Sequence, residues 1–110
     1  MAARADIVID QGTTFSTVVT VTDDSGNVID LTGYTANSQI RKHHTSSSIT
    51  KTFTIVSGGT NGQLTLSLPY SNTAAMDAGR YVYDVEVVSG GDVRSRVVEG
   101  IVTVNPEVTR

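Results

Sequence analysis

The side chains able to do chemistry fall in three places. His43-His44 is the only histidine pair in the chain, and imidazoles hold zinc or relay protons. Adjacent residues on a strand point to opposite faces, however. Beside the Ser/Thr-rich stretch that follows them, these two read as solvated loop histidines. Asp23-Asp24-Ser25-Gly26-Asn27 offers oxygen ligands of the kind calcium takes. It lacks the spacing and the closing bidentate Glu of a helix–loop–helix calcium site and reads as a hairpin turn. Asp84 and Glu86 stand two apart, with Arg94 and Arg96 on the next segment. That spacing puts both carboxylates on one strand face, where cross-strand ion pairing accounts for them without acid–base catalysis.

No other pattern carries a reaction. Neither histidine has a Ser and Asp arrangement that reads as a triad, and no nucleophile elbow occurs. Gly58-Gly59-Thr60-Asn61-Gly62 leads into a strand rather than a helix, so it is a turn and not a phosphate cradle. Basic residues are scattered and not interleaved with aromatics, which disfavours nucleic acid. Sugar sites need free aromatics, and the two candidates, Tyr34 and Tyr70, are expected to pack at strand ends. The expectation is a non-enzyme with no catalytic residues, no cofactor and no metal.

The elements that must position these residues are strands. Of 110 residues, 38% are hydrophobic and 17% charged, and Thr, Ser, Val and Gly dominate. The mix is poor in helix formers and rich in strand and turn formers. Asp6–Asp10 reads as a first, edge strand. Phe15–Thr22 alternates Phe15, Thr17, Val19 and Val21 against Ser16, Val18, Thr20 and Thr22, the period of a half-buried strand. Tyr34, Ala36, Ser38 and Ile40 share one side of the next, and Ile49–Val56 alternates Ile49, Lys51, Phe53 and Ile55 against Thr. Leu64, Leu66 and Leu68 line a further strand, which Pro69 ends. Ser71 or Asn72 then caps about one helical turn through Ala74, Ala75 and Met76. Arg80–Ser89 and Val93–Val104 close the pattern as a hairpin. Turn clusters separate about seven strands, as in an all-β sandwich with Greek-key connections. The expected core is Val19, Val21, Ile40, Phe53, Leu64, Leu66, Tyr81, Tyr83 and Val85. One domain over residues 1–110 is expected, ordered from about 6 to 105.

Charge selects the loop of the last hairpin. A three-residue loop, Gly90-Gly91-Asp92, sets Glu86 opposite Arg96 and Val88 opposite Arg94. A two-residue loop would turn both guanidinium groups to the core, which is costly. The three-residue loop is therefore expected, with a glycine at its left-handed position. In this register Val82, Val88, Val98, Gly100 and Val102 lie outward. So apolar an outer face reads as a docking surface, unless a bulge near Glu99-Gly100 reverses the alternation.

Asp77-Ala78-Gly79-Arg80-Tyr81-Val82-Tyr83 has the form D-x-G-x-Y-x-(buried). It resembles the tyrosine corner of immunoglobulin-like domains, where a Tyr hydroxyl bonds back to the loop backbone. The resemblance makes Asp77, Gly79 and Tyr81 the structural corner and puts Tyr83 where such domains carry a buried Cys. The chain has no cysteine, so no disulfide spans the sheets. Val19 and Val21 stand where the other Cys would be, and Ile40 where the core Trp would be.

Three stretches, "DIVIDQGTTF", "DLTGYTA" with "QIR", and "AGRYVYDVEV" with "GIVTVNPEVTR", resemble the small Ig-like domains of tailed-phage structural proteins. The chain is similar to the N-terminal Ig-like domain of the phage baseplate upper protein. The resemblance implies a virion structural component docking on capsid or tail subunits or on copies of itself, and assembled in the host cytoplasm. A lone module suits capsid decoration or cement, with neck, tail or baseplate as the alternative. A surface carbohydrate-binding module is the competing class. The net charge of -3 gives no strong field toward nucleic acid or an anionic membrane. "MAARADIVID" has no apolar h-region, so no signal peptide is expected, and no run reaches the ~20 apolar residues of a membrane helix.

Overall fold

The strand alternation seen in the sequence is resolved into two sheets facing one another. The computed structural model describes residues 3–22 and 25–108. Its strands are β1 (Ala3–Arg4), β2 (Ile7–Asp10), β3 (Phe15–Thr20), β4 (Thr35–Arg41), β5 (Lys51–Thr52), β6 (Thr54–Ser57), β7 (Gln63–Leu68), β8 (Gly79–Val88) and β9 (Arg94–Asn105). The larger sheet runs β1-β9-β8-β4-β5, with β2 also on β9; the smaller runs β3-β7-β6. β1 and β2 lie parallel to β9, whereas the remaining pairs are antiparallel. The chain is an all-β, immunoglobulin-like sandwich with no cysteine.

The core lies between the sheets, and it gathers every residue the alternation assigned to it: Val19, Val21, Ile40, Phe53, Leu64, Leu66, Tyr81, Tyr83 and Val85 are all buried. Phe53 joins the layers. Its ring lies 6.0 Å from Phe15 of the smaller sheet and 6.1 Å, edge-on, from Tyr83 of the larger. The run Ile49–Val56 is not one strand. It pairs with β4 up to Thr52 and with β7 from Thr54, so the chain changes sheets at Phe53. The Phe53 N–H still donates to the Ser38 carbonyl at 3.0 Å, which keeps the crossing backbone satisfied.

Two local expectations are corrected. The helical turn is Tyr70–Ala74 with Pro69 as N-cap and no side-chain capping bond; neither Ser71 nor Asn72 fills that place. Proline has no N–H to satisfy and a fixed φ suited to a helix entry. The buried Thr73 ties this turn to the body instead, its hydroxyl donating to the Thr13 carbonyl at 2.7 Å. In the last hairpin the expected pairing is present, Glu86 with Arg96 and Val88 with Arg94. The left-handed residue, however, is Asp92 at φ 67, not a glycine. Aspartate tolerates that region better than most residues.

The β8–β9 ladder also shifts register between Val85 and Glu86. Val85 opposes Val98 while Glu86 opposes Arg96, so Val97 is the extra residue of a bulge. This bulge overturns part of the expected docking face. From Val98 onward the alternation is reversed, and Val98 and Val102 are buried at 2% and 0% exposure. They pack in the core with Tyr81, Tyr83 and Val85.

Candidate functional site

What remains outside on the larger sheet is a polar, mixed-charge surface with one valine near its middle. Antiparallel register stacks its rows across β4, β8 and β9: Asn37 beside Glu86 and Arg96, Gln39 beside Asp84 and Glu99, Arg41 beside Val82 and Ile101. Their side chains share this face because β8 alternates strictly, with Tyr81, Tyr83, Val85 and Val87 inward and Val82, Asp84, Glu86 and Val88 half-buried on the other side. Two adjoining hollows lie on this face. The larger is an open groove of about 370 Å³ lined by Asn37, Gln39, Arg41, His44, Val82, Tyr83, Asp84, Glu86, Arg96 and Glu99. A second hollow of about 260 Å³ adjoins it at His44, Val82 and Glu99 and reaches Arg4, Gly100 and Ile101.

Three of the charges on this face, Arg96, Asp84 and Glu99, are engaged with one another. Arg96 lies opposite Glu86, yet its guanidinium pairs with Asp84 at 3.3 Å and with Glu99 at 3.2 Å. The bulge at Val97, which seats two residues of β9 against one of β8, brings those carboxylates within reach. Arg41 donates to the Ser46 carbonyl at 2.8 Å and to Gln39 Oε1 at 3.0 Å. Exposed pairs of this kind contribute between nothing and about 1 kcal/mol each to stability. They fix side-chain positions more than they hold the fold.

The histidines do not form a site together. Both are exposed, and His43 is used by its backbone, in a turn with Ser46: the His43 N–H donates to the Ser46 hydroxyl and the Ser46 N–H to the His43 carbonyl. His44 lines both hollows, which the sequence did not foretell. No group of three or more His, Cys, Asp or Glu gathers as metal ligands among the described residues. Of the calcium-like cluster, Asp23 and Asp24 lie outside the described residues; the turn is flanked by a bridge between Thr22 and Val28. Of the candidate aromatics, Tyr34 packs on the core, while Tyr70 is 65% exposed at the start of the helical turn, away from the groove. The expectation that it packs is therefore corrected.

The corner residues behave as one unit. The Tyr81 hydroxyl donates to the Asp77 carbonyl at 2.6 Å. Gly79 sits at φ 139, where a side chain would be strained. Lys42 Nζ lies 4.6 Å above the Tyr81 ring and donates to the Arg80 carbonyl. Burial raises the Tyr81 phenol above its ordinary value, and the Asp77 charge adds to that, partly offset by its own bond.

A second tyrosine lock was not foreseen. The Tyr83 hydroxyl donates to the Ala5 carbonyl, in the break between β1 and β2. Opposite it, a Cβ at Gly100 would run into that same Ala5 carbonyl, so only glycine lets the first strands lie against β9 there. The Ile101 N–H donates to Asp6 Oδ1 at 3.0 Å. Burial pushes the Tyr83 phenol up to about 12, with the Asp6 charge adding and Arg4 opposing. "DLTGY" is likewise a piece of construction. The Asp30 carboxylate accepts from the Thr32 N–H at 2.9 Å, and the Tyr34 N–H donates to the Leu31 carbonyl. Leu31 is buried, and the Thr32 bonds hold the Asp30 carboxyl below its usual range.

No protein-family model matches the chain, and no curated protein matches it significantly. Among solved structures it is similar to the GspB Siglec domain, at 17% identity and a TM-score of 0.53, over 94% of this chain and 55% of that one. A second similarity is to a structure described as the extracellular domains of the voltage-gated sodium channel beta4 subunit, as parallel homodimers with a role in cell–cell adhesion. There the identity is 15% and the TM-score 0.42, over 98% of this chain and 96% of that one. The chain thus spans about half the length of the Siglec-domain structure, and at 17% identity that likeness bears on the fold alone.

Proposed function

We propose that this chain is a non-enzymatic structural module of a tailed-phage particle, docking on neighbouring virion proteins as a capsid decoration or cement unit. Two things support the reading. The stretches "DIVIDQGTTF", "DLTGYTA" with "QIR", and "AGRYVYDVEV" resemble phage Ig-like domains. The observation that carries the docking surface is the grooved outer face of β4, β8 and β9, where Val82 sits amid Arg41, Asp84 and Glu99. An apolar centre with a rim of fixed charges of both signs is the anatomy of a protein interface. Placement at the neck, tail or baseplate uses the same face and differs only in the partner.

Binding to empty heads and separated tails of the parent phage tests this. Purified chain should bind one of them saturably and stoichiometrically, and Val82→Glu should weaken that binding at least about tenfold while leaving the circular dichroism spectrum unchanged. Absence of binding to both particles overturns the reading.

A surface carbohydrate-binding module is the second reading. It is favoured by the amides and charged groups, Asn37, Gln39, Arg41, Asp84 and Glu86, that line the groove and could hydrogen-bond a sugar. Saturable binding to a glycan panel, lost on Asn37→Ala and Gln39→Ala, with none to heads or tails, would establish it in place of the first.

A further inference from the structure

β3 is the outermost strand of the smaller sheet, and among the described residues no strand or backbone hydrogen bond guards its free edge. Proteins blunt such edges with lysine, proline, bulges or short strands. β3 reads FSTVVT, six residues with no charge, no proline and no register shift against β7. The other edges are less open. β5 has two residues, one of them Lys51, and β2 ends on Asp10. β6 is four residues long, and Gly58 donating to the Gln63 carbonyl sets its even-numbered residues toward β7. That leaves only Ile55 and Ser57 turned out.

The backbone direction of β3 follows from the same alternation. Gln63 faces β6, so Leu64, Leu66 and Leu68 face β3 and bond its odd-numbered residues. The Val21 N–H continues that ladder to the Gly62 carbonyl at 2.7 Å. Ser16, Val18 and Thr20 therefore turn their N–H and C=O groups to the open side. Their side chains are exposed, Val18 at 54%.

We infer that this edge pairs with the same edge of a second copy, antiparallel, about a two-fold axis through Val18. Only in that register do all the open groups of Ser16, Val18 and Thr20 find partners: Val18 faces the partner's Val18, and Ser16 faces the partner's Thr20. Inward residues then meet inward ones, and no charge is opposed by its own copy. The outer face becomes one continuous uncharged surface of Ser, Thr, Val and Gln across both smaller sheets, with Val56 and Thr65 in the row of Val18. The pairing leaves the groove on the larger sheet free and does not depend on which particle the chain serves.

Sedimentation velocity on the purified chain from about 10 μM to about 1 mM should show a monomer–dimer equilibrium. Val18→Lys, which opposes two ammonium groups on the axis, should weaken it at least about tenfold with unchanged circular dichroism. Val18→Cys should oxidise to a covalent dimer, since hydrogen-bonded antiparallel partners stand about 5.5 Å apart at Cα, within disulfide reach. Val56→Cys on the same face should not. A wild-type chain monomeric at ~1 mM overturns the inference. So does a dimer that Val18→Lys leaves intact, or equal cross-linking of both cysteine variants, each of which places the contact elsewhere. If Val18→Lys fails to fold, the cysteine pair decides alone. Failure to bind heads or tails has no bearing on this result.

Discussion

Tyr81 and Tyr83 stand two apart on one strand face and spend their hydroxyls on different parts of the chain. Tyr81 closes the corner on Asp77, four residues upstream, so Tyr81→Phe should cost about 1 kcal/mol, measured by urea unfolding. No measurable loss would show that the bond contributes nothing beyond the ring's packing. Tyr83 reaches the Ala5 carbonyl at the other end of the sequence, and its folded phenol stands near 12 against an ordinary 10.0. The folded state therefore holds this proton more tightly than the unfolded chain does. The stability linked to it is complete below the unfolded value near 10 and is lost as pH rises from there through 12. Tyr83→Phe should flatten the decline of the unfolding midpoint over that interval, read by urea unfolding at successive pH values. Both side chains were assigned to the core from alternation alone; the partner of Tyr83 was hidden because Ala5 lies 78 residues away in sequence.

At the scale of elements, the β8–β9 hairpin shows what one extra residue does. Val97 lets Glu86 and Arg96 pair beside the loop while Val98 and Val102 turn to the core further along. Deleting Val97 should force a choice between these two registers, because a one-residue slip moves every later side chain to the other face. The expected result is a loss of several kcal/mol or a failure to fold, read by chemical denaturation. Val98→Asp should act likewise by burying a charge, whereas Val82→Asp, on the half-buried outer face, should fold and unfold almost as the wild type does. Gly100→Ala tests the crossing of the first strands. The clash is with backbone at Ala5, which cannot swing aside like a side chain, so destabilisation by roughly 1–3 kcal/mol is expected in the same unfolding assay.

At the scale of the whole molecule, Phe53 couples the sheets that a disulfide would otherwise join. Its contacts with Phe15 and Tyr83 span the core where the chain itself crosses over. Phe53→Ala should cost about 3–5 kcal/mol, and both sheets should still melt in one transition when followed together by circular dichroism and tyrosine fluorescence. A split into two transitions in this variant would show that the layers depend on this ring alone for their coupling. The outer faces differ in character. The larger sheet carries Arg41, Asp84, Glu86, Arg96 and Glu99, whereas the outward positions of the smaller, Ser16, Val18, Thr20, Thr54, Val56, Gln63, Thr65 and Ser67, hold no charge. The two outer faces therefore present different chemistry to their surroundings, one charged and one neutral.

Most strands, the core and the sheet-facing half of each alternating run were legible in the order of residues, because a period of two follows from the pleat of one strand and needs no neighbour. The Asp77–Tyr81 closure was legible through the resemblance of D-x-G-x-Y to a tyrosine corner, a motif short enough to stand in one stretch. The bulge at Val97, the sheet change at Phe53, the Tyr83–Ala5 bond and the meeting of His44 with Val82 and Glu99 were not. Each depends on which strands lie side by side, and that is settled by the competition among all of them for the same core. Sequence periodicity therefore made Val82, Val88, Val98 and Val102 look alike. Tertiary pairing put Val98 and Val102 inside and left Val82 at the centre of a charged, grooved face.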